Sequence, residues 1–391
     1  MKRVSILGST GSIGRQSLQV IEAHSDRFTV RGLAAGENLD ELCGQIARHR
    51  PAVVSVATAK GAGELAERLA ARNVDPLPEI GWGPQGIECV ATDPDADVLI
   101  SAAVGVAGLP ATYKAVQIGK PVALANKEVL VAAGELVSKA ARQAGVSLLP
   151  IDSEHCAIHQ CLRSGERREL KRLLLTASGG PFRKTPLSRM KDVTPEQALA
   201  HPNWKMGRRI TIDSATLTNK GFEVIEARWL FDAKPEQIDV VIHPQSTVHS
   251  MVEFVDGSVV AQIGPPDMRI PIQYALTFPE RLPANGFHLD WTRLRLDFEP
   301  VPERKFPCLG LARQAMTGGG ALPCALNAAD EVAVEEFLQG RLRFIDIPRV
   351  IERVLERMGP ARLESIGDVL EADAEARRLA SEEARRNGRP V

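Results

Sequence analysis

Val4-Ser5-Ile6-Leu7-Gly8-Ser9-Thr10-Gly11-Ser12-Ile13-Gly14 sets a short apolar run against three glycines in GxxGxxG spacing. The run has the length of a buried strand, and Ile13–Ala23 carries apolar residues at helical spacing. Small residues in the turn let the main chain approach a pyrophosphate. The helix N-terminus behind it offers unpaired N–H groups and partial positive charge. The spacing departs from the commoner GxGxxG, and glycines alone also make plain tight turns. It is the strand–turn–helix setting that points to dinucleotide binding.

Outward from this turn the same alternation continues. Val4–Leu7, Phe28–Ala34, Val53–Val56, Val98–Ser101, Val122–Ala125 and Val146–Leu149 read as strands. Ile13–Ala23, Leu39–His49, Gly63–Ala71, Pro110–Ile118 and Lys127–Ala144 read as the helices between them. Short apolar strands joined by amphipathic helices mean parallel pairing with crossovers, hence a doubly wound sheet. The second strand should end beside the adenosine ribose, where the chain reads Ala35-Gly36-Glu37-Asn38 with no Asp at the strand tip. That favours NADP mildly, and Arg31 could help hold a 2′-phosphate. Glu37 argues for NAD, so local chemistry leaves the choice open.

After Pro150 the pattern changes. Leu170–Ala177, Arg208–Asp213, Val240–His243, Val248–Val255 and Val259–Ile263 read as strands, the last two joined by a turn at Asp256-Gly257. Thr216–Phe231 and Asp267–Leu276 read as helices, giving a second α/β domain. Residues 283–307 are rich in proline and read as a surface linker. The remainder is helical. Val350, Ile351, Val354, Leu355 and Met358 form one helical stripe, and the Glu/Arg/Ala tail from Glu371 reads as a solvated helix face.

Composition narrows the functional classes. In 391 residues, 48 Lys+Arg nearly balance 49 Asp+Glu, so no broad nucleic-acid surface is expected. A 44% hydrophobic content excludes disordered and fibrous classes, and no apolar run approaches a membrane span. The apolar start lasts four residues before Gly8 interrupts it, so it reads as a strand and not a secretion signal. Six scattered cysteines without a CxxC pair read as reduced thiols of a cytoplasmic protein.

Three constellations carry chemistry. Asn126-Lys127-Glu128 follows a strand, at the sheet edge where open α/β folds bind ligands. Asp152 and Glu154 are two apart, so in an extended segment their carboxylates share a side and call for Mg²⁺ or Mn²⁺. Acids at a helix N-terminus are the equal alternative. His155 and His159 form an HxxxH pair, but Cys156 stands where a zinc protease needs Glu, so the pair is read as structural. In Asp213-Ser214-Ala215-Thr216-Leu217-Thr218-Asn219-Lys220-Gly221-Phe222-Glu223, one helix face offers Asn219, Lys220 and Glu223. An ordinary intrahelical Lys–Glu pair is the bland alternative. Ser178-Gly179-Gly180 after a strand suggests a phosphate cradle.

Taken together, GSTGSIG, ANKE, DSEH, SGGPF, HPNWKMG, DSATLTNKGFE, HPQS and LNAADEVAV, in this order, resemble the 1-deoxy-D-xylulose 5-phosphate reductoisomerase family. The resemblance covers most of the chain. It implies a Rossmann domain over 1–150, a catalytic and dimerisation α/β domain over 151–282, a linker over 283–309 and an α-helical bundle over 310–391. It implies a homodimer using NADPH and Mg²⁺ or Mn²⁺, with Co²⁺ as a third candidate. It places cofactor contacts on Thr10, Gly11, Ser12, Ile13, Gly36, Glu37, Asn38, Asn126, Glu128 and Gly207. Metal ligands fall on Asp152, Glu154 and Glu223. Substrate contacts fall on Lys127, Ser153, Glu154, Ser178, His201, Ser214, Asn219, Lys220 and Glu223, with Lys127 and the three ligands catalytic.

The activity implied is rearrangement and reduction of a ketose phosphate to 2-C-methyl-D-erythritol 4-phosphate, a step toward isoprenoids. Glu37 departs from family members with a basic residue there. Trp204 and Met206 lie in His201–Gly207, a segment without periodicity that reads as a mobile loop; the resemblance implies a lid, and a Trp204 packed permanently in the core is the alternative. Two rivals differ in class: an aldehyde or semialdehyde dehydrogenase using Cys156, and a non-catalytic NADP-sensing regulator.

Overall fold

The computed structural model describes every residue except Lys205, Ala284, Asn285, Phe287 and residues 388–391. The chain forms two compact units. The first comprises Met1–Val129, Val137–Cys156 and Asp267–Ala284; the second comprises Leu130–Leu136, Ala157–Pro266 and Asn285–Val391.

In the first unit, β1 (Lys2–Leu7), β2 (Phe28–Ala34), β3 (Val53–Val56), β4 (Glu79–Trp82), β5 (Val98–Ser101), β6 (Val122–Leu124) and β7 (Leu148–Pro150) pair in the order β4-β3-β2-β1-β5-β6-β7. Every pairing is parallel. The crossovers carry α1 (Ser12–Ala23), α2 (Leu39–His49), α3 (Ala59–Ala71), α4 (Gly83–Thr92), α5 (Leu109–Gln117) and α6 (Glu128–Ala144), and α7 (Ser153–Cys161) follows β7. The doubly wound expectation holds. Strand order reverses about β1, so the glycine turn sits at the topological switch point, where such sheets bind ligands. The pair β4–α4 escaped the sequence reading because Glu79–Trp82 is an edge strand with no fully buried residue, and so no apolar run.

The second unit continues with α8 (Pro195–Leu199), α9 (Arg208–Thr216) and α10 (Thr218–Leu230). Its sheet, β8 (Leu170–Ala177), β9 (Ile238–Ile242), β10 (Val248–Phe254) and β11 (Val259–Ile263), has the order β11-β10-β8-β9. The hairpin at Asp256-Gly257 is present, with Gly257 at φ 86°. Arg208–Asp213 is a correction: it is the body of helix α9, not a strand. Ile210 and Ile212 imitate a period of two, but Thr211, Ile212, Ala215 and Thr216 bury one helical face.

α11 (Arg269–Thr277) belongs to the first unit, where Ile272, Ala275 and Leu276 join the core beneath the parallel sheet. α12 (Pro307–Gly318), α13 (Leu322–Leu338), α14 (Ile347–Met358) and α15 (Ile366–Asn387) share one core with the second sheet, through Phe222, Phe306, Phe337 and Val350. The tail is another correction. α15 is not merely a solvated face, because Ala376, Leu379, Ala380 and Ala384 are buried along it. Alanines four apart let this helix approach α13 closely. Among the described residues no helix is long and apolar enough to cross a membrane.

Candidate active site

The glycine turn is shaped by contact as well as by flexibility. Gly8 has φ 79°, and a Cβ there would meet Ala102 O at 2.4 Å. A Cβ on Gly14 would meet Gly8 O at 2.3 Å. Gly11 is the N-cap of α1, which has no side-chain cap and no acid in its first turn, so nothing in the helix itself competes with an anion at Thr10–Ile13. At the end of β2, Gly36 has open space around it and Asn38 caps α2 by accepting from Glu41 N–H at 3.2 Å. Arg31, suggested for a 2′-phosphate, lies 3.1 Å from Asp93 and 3.1 Å from Asp95.

β6 and β7 are neighbours, with Leu124 opposite Pro150. Their carboxyl ends therefore deliver Asn126-Lys127 and Asp152 side by side. Lys127 Nζ lies 2.7 Å from Asp152 Oδ2, and both side chains are buried. Burial would raise the Asp152 carboxyl, but Lys127, His155 and hydrogen bonds hold it well below the usual carboxylate range. Asn126 donates to Gly105 O at 2.9 Å, while its Oδ1 is buried without a partner.

The segment around Asp152 is not extended, which corrects the basis on which the carboxylates were paired. The main-chain carbonyl of Asp152 accepts from Cys156 N–H at 2.8 Å and its Oδ1 accepts from Glu154 N–H at 3.4 Å, while Glu154 lies in the first turn of α7 with Ser153 Oγ donating to it at 3.0 Å. The helix end itself presents both acids. His155 and Cys156 are buried, and His159 is half-buried with its pKa lowered by desolvation.

The second unit gathers the anion-binding candidates. Gly179 and Gly180 have φ 83° and 65°, and a Cβ on Gly180 would meet Ser214 O at 2.8 Å, so the β8–Ser178 turn packs on the end of α9. Ser178 Oγ lies 3.1 Å from His201 Nε2. His201 Nδ1 accepts from the main-chain N–H groups of Asn203 (3.2 Å) and Trp204 (3.0 Å), which leaves the ring proton on Nε2 to donate to Ser178. Burial lowers the His201 pKa, favouring that neutral form.

Leu217 at φ 61° breaks the chain between α9 and α10. On the first turns of α10, Asn219 Nδ2 donates to Glu223 Oε1 at 2.6 Å and Lys220 Nζ donates to Glu223 Oε2. The intrahelical Lys–Glu pair of the bland alternative is thus present, but buried: Glu223 is 1% exposed and Lys220 4%.

Profiles of one family match the chain along its length. One described as 1-deoxy-D-xylulose 5-phosphate reductoisomerase matches residues 4–134, its C-terminal domain matches 148–231, and a second C-terminal domain profile matches 263–379. A 1-deoxy-D-xylulose 5-phosphate reductoisomerase from Solibacter usitatus is 53% identical, over 98% of this chain and 97% of that protein. The chain belongs to the 1-deoxy-D-xylulose 5-phosphate reductoisomerase family. Another relative of that description, from Pelotomaculum thermopropionicum, is 52% identical over 97% of each chain. A reductoisomerase crystallised with NADPH, fosmidomycin and magnesium superposes with a TM-score of 0.93 at 38% identity, over 98% of both chains. The Zymomonas mobilis reductoisomerase with NADPH gives 0.91 at 43% identity, over 98% of this chain and 99% of that one.

Seen as a reductoisomerase site, the second unit holds one residue that sequence reasoning did not single out. His249, buried on β10, lies with its ring centroid 6.4 Å from that of Trp204. The HPQS stretch, quoted above as a motif, receives Asn203, whose Nδ2 donates to Pro244 O at 2.7 Å and Ser246 Oγ at 2.8 Å. His249 lies on no helix face or glycine turn that would have marked it. Trp204 and Met206 are half-buried and Gly207 exposed, while Lys205 lies outside the described residues.

Proposed function

We propose that this protein converts 1-deoxy-D-xylulose 5-phosphate to 2-C-methyl-D-erythritol 4-phosphate, using NADPH and a divalent cation. The observation that carries the reading is Glu223, a buried carboxylate with Asn219 and Lys220 on its two oxygens. Such a charge is costly unless it ligates or orients something.

The residues suit both groups. Asp152, Glu154 and Glu223 would hold Mg²⁺ or Mn²⁺, since an all-carboxylate donor set with no thiol suits hard cations. The cation supplies Lewis acidity toward the ketose oxygens. The tight Gly8–Gly14 turn and uncapped α1 would seat the NADPH pyrophosphate, with Asn126 Oδ1 an orphaned acceptor nearby in sequence to Glu128. NADPH supplies the hydride.

The chain's own groups do the rest. Ser178, His201, Ser214, Asn219 and Lys220 anchor the phosphate, the end of the substrate that does not react. His201, donating through Nε2, turns the Ser178 hydroxyl proton away from itself and toward that phosphate. Lys127 stabilises negative charge or passes a proton at the sheet edge, while Ser153 contacts substrate beside Glu154. Trp204 and Met206 close over the reacting carbons and exclude water. Cys156 is buried, which removes the nucleophile a dehydrogenase would need.

A homodimer is part of the reading: β11 is an edge strand, with exposed Val255 and Val259 inviting a second copy. Sedimentation at micromolar protein tests it. A cytoplasmic location agrees with six cysteines, none bonded.

The activity is tested by NADPH oxidation. Oxidation should require both 1-deoxy-D-xylulose 5-phosphate and Mg²⁺ or Mn²⁺, stop in EDTA and return on adding metal. Full rate in chelator, or none with all components, overturns it.

A further inference from the structure

Leu326–Val334, the stretch LNAADEVAV, has no part in the chemistry above, yet it forms the middle of α13 and its polar side chains converge on one residue. Arg209 Nη1 donates to Glu331 Oε1 at 2.8 Å, and Nη2 to Asn327 Oδ1 at 2.8 Å; Asp330 Oδ2 lies 3.6 Å away. Glu331 is in turn held by Arg377 of α15 at 2.5 Å, and Arg377 grips Asp373 at 2.6 Å. The Arg209 guanidinium lies 5.9 Å from the centre of the Phe222 ring. Asn327 and Asp330 are completely buried.

Local physics argues against an arginine at this position. Arg209 is the second residue of α9, after the N-cap Gly207, in a first turn that contains no acid. A cation there is opposed by the helix dipole. A residue that breaks a local rule and is answered by two acceptors and a nearby third carboxylate from a distant helix is being used at the tertiary level. Its neighbours indicate for what. α9 starts where the Trp204 segment ends, its last turn carries Ser214, and Phe222 immediately precedes Glu223.

We infer that Arg209, gripped by Asn327, Asp330 and Glu331, is a positioning residue that anchors the C-terminal root of the 201–207 segment and aims α9 so that Ser214 meets the substrate phosphate. The opposite root is tied by His201 to Ser178, so both ends of the segment are held. The inference rests on the reading of Ser214 and Trp204 given under Proposed function. Arginine is required because its rigid planar fork holds two acceptors in fixed directions, whereas an ammonium is a rotatable point charge that fixes neither.

The test uses full-length Arg209→Lys and Glu331→Gln, which keep volume and most polarity where Arg209→Ala would leave buried carboxylates uncompensated. Chymotryptic cleavage after Trp204 in ligand-free protein should quicken roughly fivefold in each variant, in proportion to release of the root. KM for 1-deoxy-D-xylulose 5-phosphate should rise roughly tenfold with KM for NADPH within about twofold. The two substitutions together should do little more than either alone. Unchanged cleavage and unchanged KM overturn the inference. So does a fall in melting temperature with cleavage rising equally at sites outside 201–209, the signature of a merely structural role. If the unaltered protein does not turn over the ketose phosphate, the proposed function fails, while the cleavage arm still decides whether Arg209 anchors the segment.

Discussion

Lys127 and Asp152 form a buried ion pair of 2.7 Å between the carboxyl ends of two adjacent parallel strands. Replacing Lys127 with Met leaves Asp152 buried without that partner, at a cost of about 3–5 kcal/mol. Asp152 is depressed in the native state, so its contribution is present above the unfolded carboxylate value of about 3.9 and lost as pH falls below it. The Lys127→Met melting temperature should therefore fall further below wild type at pH 7 than at about pH 3, measured by calorimetry on metal-free protein. An equal deficit at both pH values would show the pair to be inert.

Glu223→Gln keeps the shape of the side chain and removes its charge. Turnover should drop roughly 10²-fold or more, because stabilisation of developing oxyanion charge is lost with the third carboxylate. Steady-state NADPH oxidation at saturating metal measures it. Near-normal rates would reduce Glu223 to a partner for Lys220.

Glu37 stands exposed beside the capping Asn38, where a basic residue would attract a 2′-phosphate. The protein should prefer NADPH to NADH, and Glu37→Lys should lower KM for NADPH severalfold while leaving NADH nearly unchanged. A better KM for NADH in the unaltered protein contradicts this.

Gly14→Ala places a methyl 2.3 Å from Gly8 O and 2.4 Å from Ser9 O. The turn must shift, costing about 1–3 kcal/mol of stability. NADPH affinity, followed by fluorescence titration, should fall at least as much. Unaltered binding would mean that the turn is not the pyrophosphate seat.

Asp330 titrates in a different direction from Asp152. Burial pushes its carboxyl up to about 6, against the pull of Arg209. Between the unfolded value near 3.9 and 6 the native state keeps a proton that the unfolded chain releases, so this group's contribution falls as pH rises through that window. Asp330→Asn cannot titrate. Its stability relative to wild type should improve by on the order of 2 kcal/mol between pH 4 and pH 7 in urea unfolding. A constant difference would place the ionisable group elsewhere.

Much of the first unit was legible because its signals are local. A strand, a glycine turn and a helix follow one another within Lys2–Ala23, and each needs only near neighbours to declare itself. The face carrying Asn219, Lys220 and Glu223 was legible for the same reason, since helical spacing alone brings side chains three and four apart together. The proposal that residues 127, 152, 178, 201 and 214 act together came from motif order and resemblance. No spacing rule relates positions so far apart.

The tertiary structure decided the rest. Arg208–Asp213 alternates like a strand, yet Arg209 and Asp213 lie one helical turn apart with Nε 3.6 Å from Oδ2, and α13 supplies the acceptors that hold α9 in place. The pairing of Lys127 with Asp152 depends on β6 lying next to β7, and α15 is half buried because its alanines meet α13. In each case the deciding partner lies far along the chain. Local sequence determined which elements this protein forms, because propensity and periodicity act over a few residues; which side chains confront one another was decided by long-range packing, where burial turns weak surface preferences into fixed contacts.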